Sequence, residues 1–252
     1  MSKPQPRALF VMVAVLLAAA FLRLVAWRDA PPGLRYDEMT VVYEADEIRA
    51  GARPIYMDGS AEEALFHYFF AATQDLIGAH EFALRWLSAA FGLIAVAATY
   101  ALGRRLFNVR VGVLAALLAA ASFWALMYSR IGLRIIALPA FVTLAMMVLW
   151  QGWLHARRRD FVIAGVLFGL SAYTYSATRM LPLVLVAFLA YLLIFNRPQL
   201  RLHGGHILLT LLIALAIARR WRSTSLRYPL PNDASARWRV RWMHYSAAKC
   251  DR

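Results

Sequence analysis

The chain is poor in cysteine and in charged side chains, and both shortages limit what it can be. Its one cysteine, Cys250, leaves no intrachain disulfide and no cysteine-ligated metal cluster. Charged residues make up 17% of the 252 residues, below the roughly 25% typical of soluble domains. The sequence also lacks His-x-x-x-His, Gly-x-Ser-x-Gly and Walker patterns. It therefore carries none of the metalloprotease, hydrolase or nucleotide-binding signatures that those patterns define.

Apolar residues, by contrast, are abundant. They account for 62% of the chain, more than a water-soluble core of this size can bury, so a bilayer must be the solvent for most of it. A spanning helix needs about 20 apolar residues, because about 30 Å of hydrocarbon is crossed at about 1.5 Å per residue. The pattern predicts an all-α, polytopic transmembrane helix bundle with about seven spans and juxtamembrane helices in an outer loop. The predicted spans are residues 8–27, 81–102, 110–128, 134–155, 161–178 and, shorter, 180–196 and 206–218.

The net charge of +14 comes from short basic clusters between the apolar runs. Because cytoplasmic loops are enriched in Arg and Lys, residues 103–110, 156–160 and 196–206 are predicted to lie inside. This distribution favours membrane lipids over nucleic acid as the partner of the basic residues. It predicts a multi-pass protein of the plasma (inner) membrane, with residues 28–80 outside. That sidedness requires residues 64–78 to form an interfacial helix, since a short true span there would invert every later loop.

The two ends of the chain differ from its middle. Residues 1–7 are basic and precede an apolar run too long for a signal-peptide core, which predicts a retained signal anchor. Residues 219–252 carry nine Arg or Lys and no apolar run. This tail is interpreted either as a basic, disordered, membrane-surface segment or as an appended, out-of-frame sequence. Residues 1–218 form the membrane module.

Acidic residues are concentrated in one place. Of 14 Asp and Glu, 11 fall between Asp29 and Glu81, although membrane topology does not require acids outside. A helix is predicted over residues 37–50, with Asp37 and Glu38 in its first turn. The two carboxylates there either cap the helix or serve as a general base for a hydroxyl nucleophile. A 3.6-residue period places Asp37 on one face with Val41, Glu44 and Ile48, and places Asp46 on the opposite, solvated side.

Two further groups of residues are candidates for chemistry. Glu62 and Glu63 precede the interfacial helix. Glu63 either starts that helix in solvent or reaches into the same cavity as a metal ligand, whereas Glu62 is expected at the surface. The outer turns place three arginines and a tyrosine at one membrane edge: Arg130, Arg134, Arg179 and Tyr175. Arginines there either snorkel to headgroups or hold a phosphate with paired hydrogen bonds.

Acids for a hydroxyl and arginines for a phosphate together describe group transfer from a phospholipid-like donor. The order of these residues resembles the N-terminal half of the C-type, lipid-linked glycosyltransferases. That group includes protein mannosyltransferases, aminoarabinose transferases and rhizobial core-sugar transferases. The resemblance covers roughly residues 8–218. It rests on Asp37-Glu38, Glu63-Ala64-Leu65-Phe66, Ala83-Leu84-Arg85-Trp86, Leu102-Gly103-Arg104-Arg105, Tyr128-Ser129-Arg130 and Tyr173-Thr174-Tyr175.

The resemblance implies a polyprenyl-phosphate sugar donor and a lipid, glycan or protein acceptor, with transfer on the non-cytoplasmic face. It also implies that Asp37 is the base, with Glu38 adjacent. A divalent metal ion is linked in some relatives to the position that Glu63 occupies.

Two other functions stay open from the sequence. A transporter component usually carries ionisable groups inside its spans, but the spans here contain almost none apart from Arg23 and Arg85. Relatives continue through several more spans, whereas the resemblance ends near residue 218. A truncated, non-catalytic fragment of such an enzyme is therefore the other alternative.

Overall fold

The structure is a computed structural model that describes residues 6–26, 29, 32–57, 60, 62–78, 81–195 and 197–225. Helices make up nearly all of the described residues, which confirms the all-α bundle. The helices are α1 (Pro6–Leu24), α2 (Tyr36–Arg49), α3 (Leu65–Ile77), α4 (Glu81–Leu106), α5 (Val109–Ala121), α6 (Phe123–Arg130), α7 (Ala137–His155), α8 (Arg158–Ser171), α9 (Leu181–Phe195) and α10 (Arg197–Ser225). Two-residue strands β1 (Tyr56–Met57) and β2 (Glu62–Glu63) pair antiparallel, and 3₁₀ turns occupy Arg134–Ile136 and Ser176–Met180.

Four helical stretches are long and apolar enough to cross a bilayer: Ala83–Leu106, Arg134–His155, Ser176–Phe195 and Leu202–Arg219. A bent pair, α5 with α6, raises the number to as many as five. The apolar part of α1, Leu9–Leu24, is shorter, and α8 has 14 residues. Length and composition therefore support membrane insertion but do not confirm a count of about seven spans.

The span predicted over residues 110–128 is two helices instead of one. Ser122 separates α5 from α6 with an extended ψ of 124°, and the two helices meet at a bend of 54°. Apolar composition predicted the length of this segment correctly, but it carries no information about a local break in the backbone. Arg130, at the end of α6, bonds to carbonyl oxygens at the C-terminal end of α1.

Two other predicted boundaries also differ from the structure. The helix predicted over 161–178 ends at Ser171, where the hydroxyls of Thr174 and Thr178 both donate to the Ser171 carbonyl oxygen. The short helix predicted over 206–218 extends over Arg197–Ser225, so the predicted tail boundary at residue 219 lies inside α10. The rest of the predicted tail, residues 226–252, lies outside the described residues.

Several loops meet at one end of the bundle, which we call the loop end. Arg130 donates to the carbonyl oxygens of Leu22 and Val25, while Arg85 at the start of α4 contacts Glu38. Glu38 in turn accepts the backbone N–H of Gly132. The chain segment between α1 and α4 therefore begins and ends at the loop end. The 13-residue α3 within it does not carry the chain across the bundle, as the interfacial interpretation requires.

Phenylalanine side chains attach this segment to the bundle. Phe66 and Phe70 of α3 are fully buried, and Phe66 lies 6.0 Å, centroid to centroid, from Phe91 of α4. Phe91 lies 6.1 Å from Phe141 of α7. Each such ring pair contributes about 0.5–1.5 kcal/mol beyond its buried area, so this cluster fixes α3, and the residues just before it, against two spanning helices.

Candidate functional site

The first turn of α2 places its two acids in different environments. Asp37 is exposed, whereas Glu38 is fully buried. The buried face of α2 carries Val41, Glu44 and Ile48 as the helical period predicts, but Asp37 is not buried with them. Asp46 is exposed, as expected. Of the adjacent pair, only Asp37 is therefore reachable by a substrate hydroxyl from solvent.

Glu38 holds three segments of the loop end together. Its Oε1 accepts the Gly132 N–H at 2.9 Å and lies 3.3 Å from Nε of Arg85. Its Oε2 accepts the Arg35 N–H at 2.9 Å. Both oxygens of this fully buried carboxylate therefore have partners, as a buried charge requires. Glu38 thus acts as a structural tie between α2, α4 and the turn after α6.

The β1–β2 pair positions the second acidic group. Its register sets Tyr56 opposite Glu63 and Met57 opposite Glu62. Arg134, in the turn before α7, contacts both glutamates through its guanidinium group: NH1 reaches Glu62 Oε1, and Nε lies 3.5 Å from Glu63 Oε2. Glu62, expected at the surface, has a side chain that is only 18% exposed. Both acids therefore belong to one cluster with Arg134.

Two more predicted site residues lie beside this cluster. The guanidinium carbon of Arg134 sits 5.5 Å from the ring centroid of Tyr175. Burial and the charge of Glu63 raise the pKa of Tyr56, and the charge of the exposed Arg179 opposes that rise. Arg130, by contrast, is bonded to the carbonyl oxygens at the end of α1. The structure thus brings Arg134, Tyr175 and Arg179 to the Glu63 side of the loop end.

The sequence did not single out Glu44 and His67, which complete the cluster. His67 of α3 is fully buried, and its Nε2 lies 2.9 Å from Glu44 Oε2 and 3.7 Å from Glu62 Oε2. The sequence does contain a feature that could have identified each of these two residues as buried. Glu44 shares the buried face of α2 with Val41 and Ile48, and His67 lies between the buried Phe66 and Phe70.

Burial also affects the ionisation of Glu62. Removal from water raises the pKa of the Glu62 carboxyl, and the nearby charge of Glu44 adds to the rise. The positive charge of Arg134 lowers it, but burial is the larger effect. A further positive charge at this point would therefore stabilise the carboxylate form.

Comparison with known proteins supports a family relationship. Residues 63–221 match the family described as dolichyl-phosphate-mannose-protein mannosyltransferase. The match includes α3 to α10 and the site residues Glu63, Arg130, Arg134, Tyr175 and Arg179, while Asp37 and Glu38 precede it. No curated protein and no solved structure matches the chain. The family match extends over well over half of the chain, and it agrees with the resemblance drawn from the residues. The chain belongs to the dolichyl-phosphate-mannose-protein mannosyltransferase family, whose members are membrane glycosyltransferases.

Proposed function

We propose that the protein transfers a sugar from a polyprenyl-phosphate donor to a hydroxyl acceptor at the loop end, on the non-cytoplasmic face of the membrane. One observation carries the proposal: Arg134, Tyr175 and the exposed Arg179 lie beside an acidic segment packed onto the ends of the spanning helices. This arrangement presents cations to a lipid phosphate at the membrane edge and carboxylates to the acceptor.

Arg134 and Arg179 have different parts in holding the donor phosphate. A guanidinium group has five N–H donors, and Arg134 directs two of its nitrogens to Glu62 and Glu63. Those contacts fix its orientation and leave other donors for a phosphate oxygen. Arg179 is exposed, so a ligand can approach it from solvent. Together the two arginines would stabilise the negative charge that develops on the leaving phosphate oxygen.

Asp37 is the proposed general base, because its side chain is exposed while Glu38 is buried. In the transfer step the Asp37 carboxylate takes the proton of the acceptor hydroxyl. The hydroxyl oxygen forms a bond to the anomeric carbon of the sugar as the bond from that carbon to the phosphate oxygen breaks. The bonding electron pair leaves with the polyprenyl phosphate, which the arginines hold.

The test of this role is Asp37→Asn, assayed in membranes with a labelled polyprenyl-phosphate sugar. General-base catalysis contributes about 100- to 10,000-fold, so transfer should fall by at least about 100-fold. Asp46→Asn is the matched control, because Asp46 is also exposed on α2, where it contacts Arg49 and Gln74. Undiminished transfer by the Asp37→Asn protein would reject the base assignment.

A transport function receives no support from the charged residue inside the first helix. Arg23 of α1 is 1% exposed and donates to the Ser129 hydroxyl at 3.2 Å and to the Ala19 carbonyl oxygen at 3.0 Å. The bond to Ser129 joins α1 to α6. The intramembrane cation therefore has a structural use, as polar groups between membrane helices often do.

A further inference from the structure

We propose that Glu44, Glu62 and His67 form a binding site for a divalent transition-metal cation, with Zn²⁺ the best chemical fit. The three side chains come from α2, β2 and α3, three of the four elements in the segment between α1 and α4. The proposal concerns binding only and stands apart from the proposed transferase activity.

The spacing of the three ligand atoms fits a small metal ion. One nitrogen of His67 and one oxygen from each glutamate all lie within 4.8 Å of one another. His67 Nε2 lies 2.9 Å from Glu44 Oε2 and 3.7 Å from Glu62 Oε2. Two ligands of a tetrahedral zinc ion, each bonded at about 2.0–2.1 Å, lie about 3.3 Å apart. The two separations fall on either side of that value.

The buried ligand atoms lack the hydrogen bonds that would otherwise explain them. Both nitrogens of His67, both carboxylate oxygens of Glu44 and Oε2 of Glu62 are buried without a hydrogen-bond partner among the described residues. His67 Nε2 and Glu44 Oε2 are close enough for an ion pair, but they are not aligned as a hydrogen bond. Burying such groups unpaired is costly. A cation bound between the ligand atoms that face one another would give each of those atoms a partner.

The two oxygens of Glu62 face different partners. Oε1 contacts NH1 of Arg134, and Oε2 faces His67. A cation bound by Glu44, Glu62 and His67 would therefore share this carboxylate with Arg134. The cation is expected to fix α2 and α3 to β2 and to hold Arg134 in place.

The ligand set also separates this proposal from the role predicted for Glu63. Glu63 Oε2 points to Nε of Arg134, and Glu63 is not among the three residues whose ligand atoms converge. One imidazole and two carboxylates suit zinc or manganese better than magnesium or calcium, which prefer all-oxygen sites. Three protein ligands leave a fourth position for water or substrate, as in catalytic zinc sites.

The experiment uses the full chain, purified in detergent through a tag that contains no histidine and stripped of metal with a chelator. Zn²⁺, Mn²⁺ or Mg²⁺ is added, excess is removed, and metal content and melting temperature are measured. We expect about one Zn²⁺ or Mn²⁺ per chain and a higher melting temperature, with no retention of Mg²⁺. Failure of the wild-type chain to retain either transition metal would overturn the proposal.

Matched variants locate the binding. His67→Gln and Glu44→Gln should weaken Zn²⁺ affinity by at least about 100-fold, since each removes one of three ligands. The controls are His155→Gln and Glu47→Gln, the same changes at exposed positions on α7 and α2, and both should bind as wild type does. Zn²⁺ binding that persists in both ligand variants would place the ion elsewhere and overturn the site.

A last measurement separates a metal site from a simple ion pair. In the metal-free chain, Glu44→Gln removes a buried carboxylate that has no hydrogen bond, so the melting temperature should hold or rise. If Glu44 and His67 form only a stabilising ion pair, the same variant should melt earlier without metal, and Zn²⁺ should not stabilise the wild type. That pair of results would reject the proposal whatever the transferase assay shows.

Discussion

At the residue scale, two neighbours in sequence, Asp37 and Glu38, have opposite environments. Asp37 faces solvent, and Glu38 is buried against Arg85 and the Gly132 N–H. The helix dipole favours both carboxylates in the first turn, so the sequence gives them the same local reason to be there. Only contacts from residues far along the chain separate a structural acid from an accessible one.

Glu38→Ala should destabilise the protein by about 3–5 kcal/mol, because it leaves Arg85 buried at the loop end without its carboxylate partner. The measurement is thermal or denaturant unfolding in detergent micelles. Glu47→Ala, at an exposed position of the same helix, should change stability by less than about 0.5 kcal/mol. Equal stability of the two variants would show that Glu38 is not the tie that the structure indicates.

At the element scale, glycines set how closely the spanning helices approach. A Cβ on Gly165 of α8 would lie 2.8 Å from the Thr210 carbonyl oxygen of α10, and one on Gly169 would lie 2.7 Å from Ile217 Cβ. Gly112 of α5 is similarly close to the backbone of α4. Small residues four apart on a membrane helix permit such close packing. They explain why α10 lies tightly along α8 although neither helix is fully apolar.

Gly165→Ala should lower stability by about 1–3 kcal/mol, because the added methyl group meets backbone of α10 and the helices must separate. The melting temperature of the purified protein is the readout. Gly204→Ala is the matched control, since a Cβ there meets nothing within 4 Å and alanine is the better helix former. The prediction fails if the Gly165 variant melts at or above the temperature of the Gly204 variant.

At the scale of the whole molecule, the loops sort to two ends of the bundle. Residues 22–25, 85 and 130–132 meet at the loop end, and the N–H of Leu65 bonds the Tyr173 carbonyl oxygen at 3.1 Å. Elsewhere, the indole of Trp150 donates to the Arg105 carbonyl oxygen, so the turn after α4 lies beside the end of α7. This grouping agrees with the alternation of basic and non-basic loops from which sidedness was predicted.

Cysteine labelling tests that sidedness directly, because Cys250 is the only cysteine and Cys250→Ser gives a cysteine-free background. Single cysteines are then introduced by Asp46→Cys and Arg157→Cys. Asp46 is exposed in the acidic segment between α1 and α4, and Arg157 is exposed in an Arg-rich loop. A membrane-impermeant maleimide applied to intact cells should label position 46, and position 157 only after permeabilisation. The reverse pattern would place the arginine-rich loops outside and contradict the proposed location of the active site.

The sequence by itself determined the class of the protein, the approximate positions of most helices and the family resemblance. Apolar runs and 3.6-residue periodicity are local, and the bilayer enforces them along each segment. The 14-residue α2 lies within one residue of its predicted position, because its acidic first turn and its 3.6-residue period are also local signals. The sequence could not give the break at Ser122 or the end of α8 at Ser171, because each depends on backbone geometry that apolar composition does not encode.

The tertiary structure decided which polar groups share a site. Glu38 meets Arg85 and Gly132 across separations of 47 and 94 residues, and Arg134 reaches back to Glu62 and Glu63. His67 and Glu44 lie on different helices and become neighbours only when α3 packs on α2. Burial of a charge depends on such distant partners, since an ionised group leaves water only where another group compensates it. No local pattern in the chain specifies that partner.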